Sequence, residues 1–351
     1  MAELDRMQLA YQYDGEGSGV IARLLCDDRA PTVALRAEMD ALPGQESTGA
    51  KYSSMYDGVM HACGHGAHMA MLLGAAERLV TSPPDGNVVF VFQPAEERGG
   101  GSRTVIQAGA LEGVGAIFAG HVTHEYAVGR IMVSEGVVTA QSDRFRITVS
   151  GEGGHAARPH EATDAVVIAG FLITALQTLV SREVNPLHPS VITIGKVHAG
   201  SAPNVIAETA ILEGSIRTMR PDVRRHIHSG IRRMAEAAGL LHNASIEVEI
   251  DDGYPPVINT RAEAQIARRA AESVVGPGGI AEMEHPSMGS EDFSYYLEKV
   301  PGCFVRFGAR HQNWEPVPLH SSGFDIDERV LSIGARYMDQ VAREYLTSKS
   351  R

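Results

Sequence analysis

The stretch VVFVFQPAEERGGG, residues 88–101, carries most of the information about the fold. Its first five residues are β-branched or aromatic with no polar interruption, the pattern of a strand buried on both faces. The run breaks at Gln93 and Pro94 into two adjacent glutamates, Glu96 and Glu97, and then into three glycines. The same order, apolar strand then chemistry, recurs on either side. TVALRAEMD (32–40) begins as a strand and ends in Glu38 and Asp40, and AIFAG (116–120) is followed by His121. Residues 66–81 place Met69, Leu72, Leu73, Ala76, Leu79 and Val80 at helical spacing. Short apolar strands alternating with helices predict an α/β fold with a largely parallel sheet covered on both faces. In open sheets of this kind ligands bind beyond the carboxyl ends of the strands, so these polar residues are expected to converge there.

From about residue 142 the rhythm changes. FRITVSG (145–151) alternates like a half-exposed strand. A helix near 164–181, strands near 190–198 and 207–217, a helix near 221–238 and the strand SIEVEI (245–250) complete a βαββαβ order, the ferredoxin-like unit. After GYPP (253–256) helices return at 262–275 and 326–347, with the strand FVRFG (304–308) between them. A chain of 351 residues can hold two cores. The expected organisation is a discontinuous first domain, 1–140 plus 255–351, with a second domain, 141–254, inserted.

A formal charge of -12 argues against a nucleic-acid partner, because phosphate binding needs a basic surface. The sequence has no uninterrupted apolar run of membrane-spanning length, and its acidic start does not read as a secretory signal. Three widely spaced cysteines, Cys26, Cys63 and Cys303, cannot pair completely, so a reduced, cytoplasmic setting is expected.

The densest chemistry lies in HACGHGAH (61–68), just ahead of the first long helix. A Cys and a His two residues apart on a loop, Cys63 and His65, can face one site. Thiolate with imidazole suits zinc and related first-row ions. The free N–H groups at the helix start are expected to favour the thiolate. Adjacent glutamates usually lie on solvated faces, but Glu96 and Glu97 follow a buried strand. One of them can bind metal while its neighbour acts on water as general base. His121 and His320 are weak signals individually, as are the loop histidines His155 and His160.

Taken in order, ALRAEMDALPGQE, GVMHACGHGAHMAMLLGAA, FVFQPAEERGGG, GHV, GEGGHAARPH, NVIAETAILEGSIR, MGSEDFSYYL and PLHSSGFD resemble the M20 metallopeptidases, in the branch that holds aminoacylases, hippurate hydrolases and indoleacetyl-amino acid hydrolases. The resemblance covers about residues 34 to 325. It implies a two-domain fold, a zinc-peptidase-like catalytic α/β domain with an inserted lid that mediates homodimerisation. It also implies two divalent ions per subunit (Mn, Zn, Co or Ni), with Cys63 bridging and His65, Glu97, His121 and His320 completing the shells. Glu96 would be the general base for the attacking water, and Asp40 would orient a ligand. His155 would stabilise the oxyanion, usually from the partner's lid. Asn204 and Arg217 would hold the substrate, with Gly289 and His160 nearby. A guanidinium suits the carboxylate of an amino-acid product.

The implied reaction is hydrolysis of the amide between an acyl or aroyl group and an amino acid. The same fold would also serve a dipeptidase or an aryl-amine deaminase, and a non-catalytic binder of acyl amino acids is the reading from another class. Several positions depart from the family pattern. Gly66 stands where Asp is usual, Glu38 replaces an Asp, and His124 stands near a usual Pro. The family's additional N-terminal helix would end about where this chain begins.

Overall fold

The structure is a computed structural model, and it describes residues 1–15, 19–27 and 29–349. The strands used below are β1 (Ala10–Tyr13), β2 (Val20–Leu24), β3 (Thr32–Glu38), β4 (Asn87–Gln93), β5 (Val114–Ala127), β6 (Ile131–Met132), β7 (Gln141–Ser150), β8 (Ser190–Ala199), β9 (Thr209–Thr218), β10 (Ser245–Asp252), β11 (Ile280–Ala281) and β12 (Gly302–Arg310). The helices are α1 (His65–Thr81), α2 (Gly101–Gln107), α3 (Ala165–Thr178), α4 (Pro221–His242), α5 (Arg261–Val275) and α6 (Arg329–Lys349).

The chain forms two compact units. The first comprises Met1–Val138, Val257–Pro286 and Glu291–Arg351. Its eight-stranded sheet has the order β1-β2-β4-β3-β5-β12-β6-β11. The central four, β4, β3, β5 and β12, run parallel, while β2 and β6 pair antiparallel with their inner neighbours. Alternation along the central strands sends side chains into two cores. Val33, Leu35, Phe90 and Phe118 pack with residues of α1, α5 and α6. Ala34, Val89, Val91 and Ile117 pack on the other face with Val105 of α2 and with Phe293 and Tyr296. Burial on both faces explains why these strands read as continuous apolar runs.

One expectation was too short. The strand read at 116–120 runs on to Ala127, so His121 lies within β5 rather than after it. The last β3–β5 pair is Leu35 with Phe118, whereas β12 accompanies β5 well beyond that point. From Ala119 onward β5 has no β3 partner on one side, and His121, paired with Arg306 of β12 on the other, lies past the last β3–β5 pair.

The second unit comprises Thr139–Pro256 with Ser287–Ser290. Its sheet is antiparallel, in the order β8-β9-β7-β10, and its elements follow as βαββαβ. Phe145, Ile147, Leu212 and Ile216 of the sheet meet Ile168, Leu172, Ile227 and Ile231 of α3 and α4 in a separate core. Asp164 caps α3, accepting from the N–H groups of Val166 (2.9 Å) and Val167 (3.3 Å). The helical stretch Ala165–Glu183 is long and apolar enough to cross a membrane by length and composition alone. Here it packs on the sheet, leaving Val166, Val167 and Phe171 exposed. The expectation that all of 255–351 belongs to the first domain needs one correction. Ser287–Ser290 joins the second unit because the Ala140 N–H donates to the carbonyls of Ser287 (2.8 Å) and Gly289 (3.0 Å).

Candidate metal centre

Glycine decides the two loops that carry most of the site. Gly64, at the start of α1, has φ +84°, and a Cβ there would fall 2.4 Å from Val122 Cγ2. Only glycine lets the Cys63–His65 loop turn so close to β5. After β4 the chain passes Ala95 at φ +54° and closes at Gly101, where a Cβ would sit 1.8 Å from the Pro94 carbonyl oxygen. That closure is why three glycines follow the glutamate pair. The third loop carries His320, itself at φ +65°, with its N–H donating to the Ala62 carbonyl (2.9 Å). A left-handed non-glycine residue persists only where its surroundings hold it, as this bond does.

These loops bring together the ligands implied by the sequence. Cys63 Sγ lies 3.3 Å from His121 Nε2 and 3.3 Å from His320 Nε2. His320 Nε2 lies 3.1 Å from Glu97 Oε1. Donor atoms of Cys63, His65 and His121 form one mutually close group, within 4.8 Å, and those of Cys63, Glu97 and His320 form another that shares the sulfur. Glu96 and Glu97 make a third with His65. Asp40 accepts from the Glu97 N–H (2.9 Å) with one carboxylate oxygen, and its other oxygen lies 3.2 Å from His65 Nδ1. It thus ties the Glu97 loop to the His65 imidazole.

The donor set fits divalent cations. His65 Nε2 is buried without a hydrogen-bond partner, a costly state for a polar atom grouped with the Cys63 and His121 donor atoms. His121 donates from Nδ1 to the Val122 carbonyl (2.7 Å), which leaves Nε2 as a lone pair facing the sulfur. Burial, with His68 and Arg306 beside it, holds its pKa well below the ordinary value.

The carboxylates show the same need. Burial, then Glu291 and Asp292, push Glu96 well above the usual carboxylate range. Burial also opposes charge on His65, yet the hydrogen bond to Asp40 and the charge of Glu38 lift it to about 9. In the metal-free chain burial, then Glu97 and Glu96, push the Cys63 thiol far up. A bound cation reverses that balance.

Beneath these groups lies a charge cluster that sequence reasoning missed. Arg36 is fully buried and bonds Glu38, Glu291 (2.9 Å), Asp292 (2.7 Å) and Gln93 (2.9 Å). The signal was present in TVALRAE, where an arginine and a glutamate two residues apart share one face of a strand buried on both sides. Such a buried pair needs further hydrogen-bonding partners for the polar atoms it leaves over. Two departures from the family pattern also find their places. His124 donates from Nε2 to the Asp325 carbonyl (2.6 Å) and accepts the Val317 N–H at Nδ1 (3.1 Å), clamping the loop that carries His320. At Gly66 an added Cβ would meet His61 at an ordinary 3.6 Å, and the first turn of α1 contains no acid.

The remaining site residues read from the sequence belong to the second unit. Arg217 donates to Ser290 Oγ (2.7 Å). The Gly289 N–H donates to Ser287 Oγ (3.1 Å). His155 is exposed and pairs across to Val205, and its Nδ1 accepts the Ala157 N–H (3.1 Å). The Asn204 carbonyl accepts the Ala156 N–H (3.2 Å), which places Asn204 beside it. His160 stands exposed, 3.6 Å from Glu161.

The chain is similar to N-acetyl-L-cysteine deacetylase of Bacillus subtilis, 38% identical over 94% of this chain and 78% of that protein. It is also similar to IAA-amino acid hydrolase ILR1-like 4 of Arabidopsis thaliana, 39% identical over 98% of this chain and 80% of that protein. Among solved structures it matches the Bacillus subtilis YXEP protein, a dinuclear metal binding peptidase from the M20 family. That match has a TM-score of 0.83 and 34% identity, over 99% of this chain and 90% of the other. The model of peptidase family M20/M25/M40 matches residues 34–344. With that span matched, the chain belongs to peptidase family M20/M25/M40.

Proposed function

We propose that the chain is a metal-dependent amidohydrolase that splits N-acyl or N-aroyl amino acids into a carboxylic acid and an amino acid. The observation that carries this reading is the convergence of Cys63, His65, Glu97, His121 and His320, with the buried His65 Nε2 left unpartnered. The names of the two curated relatives, a deacetylase and an amino acid conjugate hydrolase, support the substrate class.

The five residues would hold two divalent ions, with Cys63 common to both. When bound, such ions supply Lewis acidity toward the amide carbonyl and lower the pKa of water. The residues of the chain do the rest. Glu96 takes the proton of the attacking water at a carboxylate oxygen and delivers it to the leaving amine. Asp40 holds the His65 ring and the Glu97 loop in register. His155 keeps its Nδ1 occupied by Ala157, so in its neutral form Nε2 carries the N–H that an oxyanion needs. Arg217, oriented by Ser290, offers a guanidinium to the substrate carboxylate, and Asn204 adds an amide.

The open edge of β8, with exposed Val191 and Val197, and the apolar flank of α3 are surfaces that a second copy of the chain would cover. Three free thiols fit a reducing compartment.

The test is a panel of N-acetyl, N-benzoyl and indoleacetyl amino acids assayed after loading with Mn, Zn, Co or Ni. Release of free amino acid from at least one conjugate class is expected. A loaded protein that binds these conjugates and leaves all of them intact would mean a binder instead.

A further inference from the structure

We propose that His68 and Glu38, anchored by Arg36, are positioning residues that fix the metal-facing nitrogen of His121 through the backbone of Val122. The proposal rests on the metal-centre reading above. Its starting point is Val122, which lies past the last β3–β5 pair. The N–H and C=O of one strand residue point off the same edge, and here that edge has lost its neighbouring strand. Two buried polar groups therefore need partners from elsewhere.

Histidines supply both. The Val122 N–H donates to His68 Nε2 (3.0 Å), and the Val122 carbonyl accepts from His121 Nδ1 (2.7 Å). A backbone N–H only donates, so His68 Nε2 must be a lone pair, and its proton sits on Nδ1. That proton points at Glu38 Oε2, 2.9 Å away. A backbone carbonyl only accepts, so the His121 proton sits on Nδ1 and its Nε2 lone pair faces Cys63 Sγ. The series Arg36, Glu38, His68, Val122, His121 thus has one consistent assignment of every proton, and its first three members are almost wholly buried. With His68 removed, Val122 loses one of the two bonds that fix this edge of β5, and His121 loses its fixed aim.

The experiment measures Mn2+ binding to chelator-stripped protein by calorimetry, with stoichiometry checked by elemental analysis. His68→Leu removes both bonds of the ring. His68→Gln can present an amide oxygen to Val122 and an N–H to Glu38. Wild type is expected to take two ions per chain. His68→Leu should lose about tenfold or more in affinity for at least one ion, the usual range for groups behind a ligand. His68→Gln should stay within about threefold of wild type, since it restores both bonds.

If His68→Leu does not fold by circular dichroism, His68→Asn takes its place, because it reaches Glu38 but not Val122, and the same loss is expected. A folded Leu or Asn variant that binds both ions at wild-type affinity would overturn the proposal. So would a Gln variant as weak as the Leu or Asn variant. A wild-type chain that binds no Mn2+ while His68→Gln keeps its fold would instead overturn the metal-centre reading itself.

Discussion

Glu96 and Glu97 are neighbours in sequence with different surroundings. Glu97 reaches His320 at 3.1 Å and has its N–H held by Asp40. Glu96 is buried, and burial, then Glu291 and Asp292, push its pKa well above the usual carboxylate range. Glu96→Gln is therefore expected to retain both ions and lower turnover by about two orders of magnitude or more. Glu97→Gln is expected to lose metal. Elemental analysis beside an activity assay separates the two, and the reversed pattern would exchange their roles. Residue types and their order singled out this pair and the Cys63–His65 loop, whereas His121 and His320 were weak signals alone and entered through the family resemblance. The partners of those residues were not legible. Nothing in the sequence says that His68 spends both ring nitrogens, or that Arg36 meets carboxylates more than 250 positions away. Those facts depend on which strand ends first.

At the scale of elements, periodicity carried the reading well where one face is apolar, as in α1, α4 and α6. It failed at the end of β5, because a strand that continues into a polar site no longer looks like a strand. It also gave no sign of the ion-pair network in the second unit. There Asp143 of β7 is bonded by Arg224 and by His228 (2.8 Å) of α4, and by the N–H of Gly253 (3.1 Å). Burial alone would raise its pKa, but the hydrogen bonds from His228 and Arg224 bring it down to about 2. A carboxylate whose folded pKa is depressed contributes stability that is present above its unfolded value and lost as pH falls through the folded one. Thermal unfolding followed from pH 5 to pH 2 should show this loss between about pH 4 and pH 2. Asp143→Asn should be less stable at pH 7 by about 3 kcal/mol, with that part of the acid dependence gone. A variant with wild-type acid sensitivity would remove Asp143 from the network's energetics.

For the whole molecule, the change of rhythm near residue 142 separated two cores in the sequence, and the return after GYPP marked the chain's way back. The reassignment of Ser287–Ser290 was invisible because only a few hydrogen bonds make it, with no apolar pattern behind them. If the second unit of one subunit serves the metal centre of another, Glu96→Gln and His155→Ala should complement each other. Each is expected to be inactive alone, and coexpression should restore up to about half the activity of wild type per mixed dimer, since one complete site remains. Heterodimers confirmed by native mass spectrometry yet inactive would confine His155 to its own subunit.

The central claim is that the sulfur-centred donor set holds two ions on which amide hydrolysis depends. Stepwise addition of Mn2+ to the stripped protein, with release of amino acid from an N-acyl conjugate measured at each step, tests it most directly. Activity absent without metal and rising to a plateau at two equivalents per chain is the expected result. Full hydrolysis by stripped protein, or a plateau reached with Cys63→Ser at the same two equivalents, would contradict it.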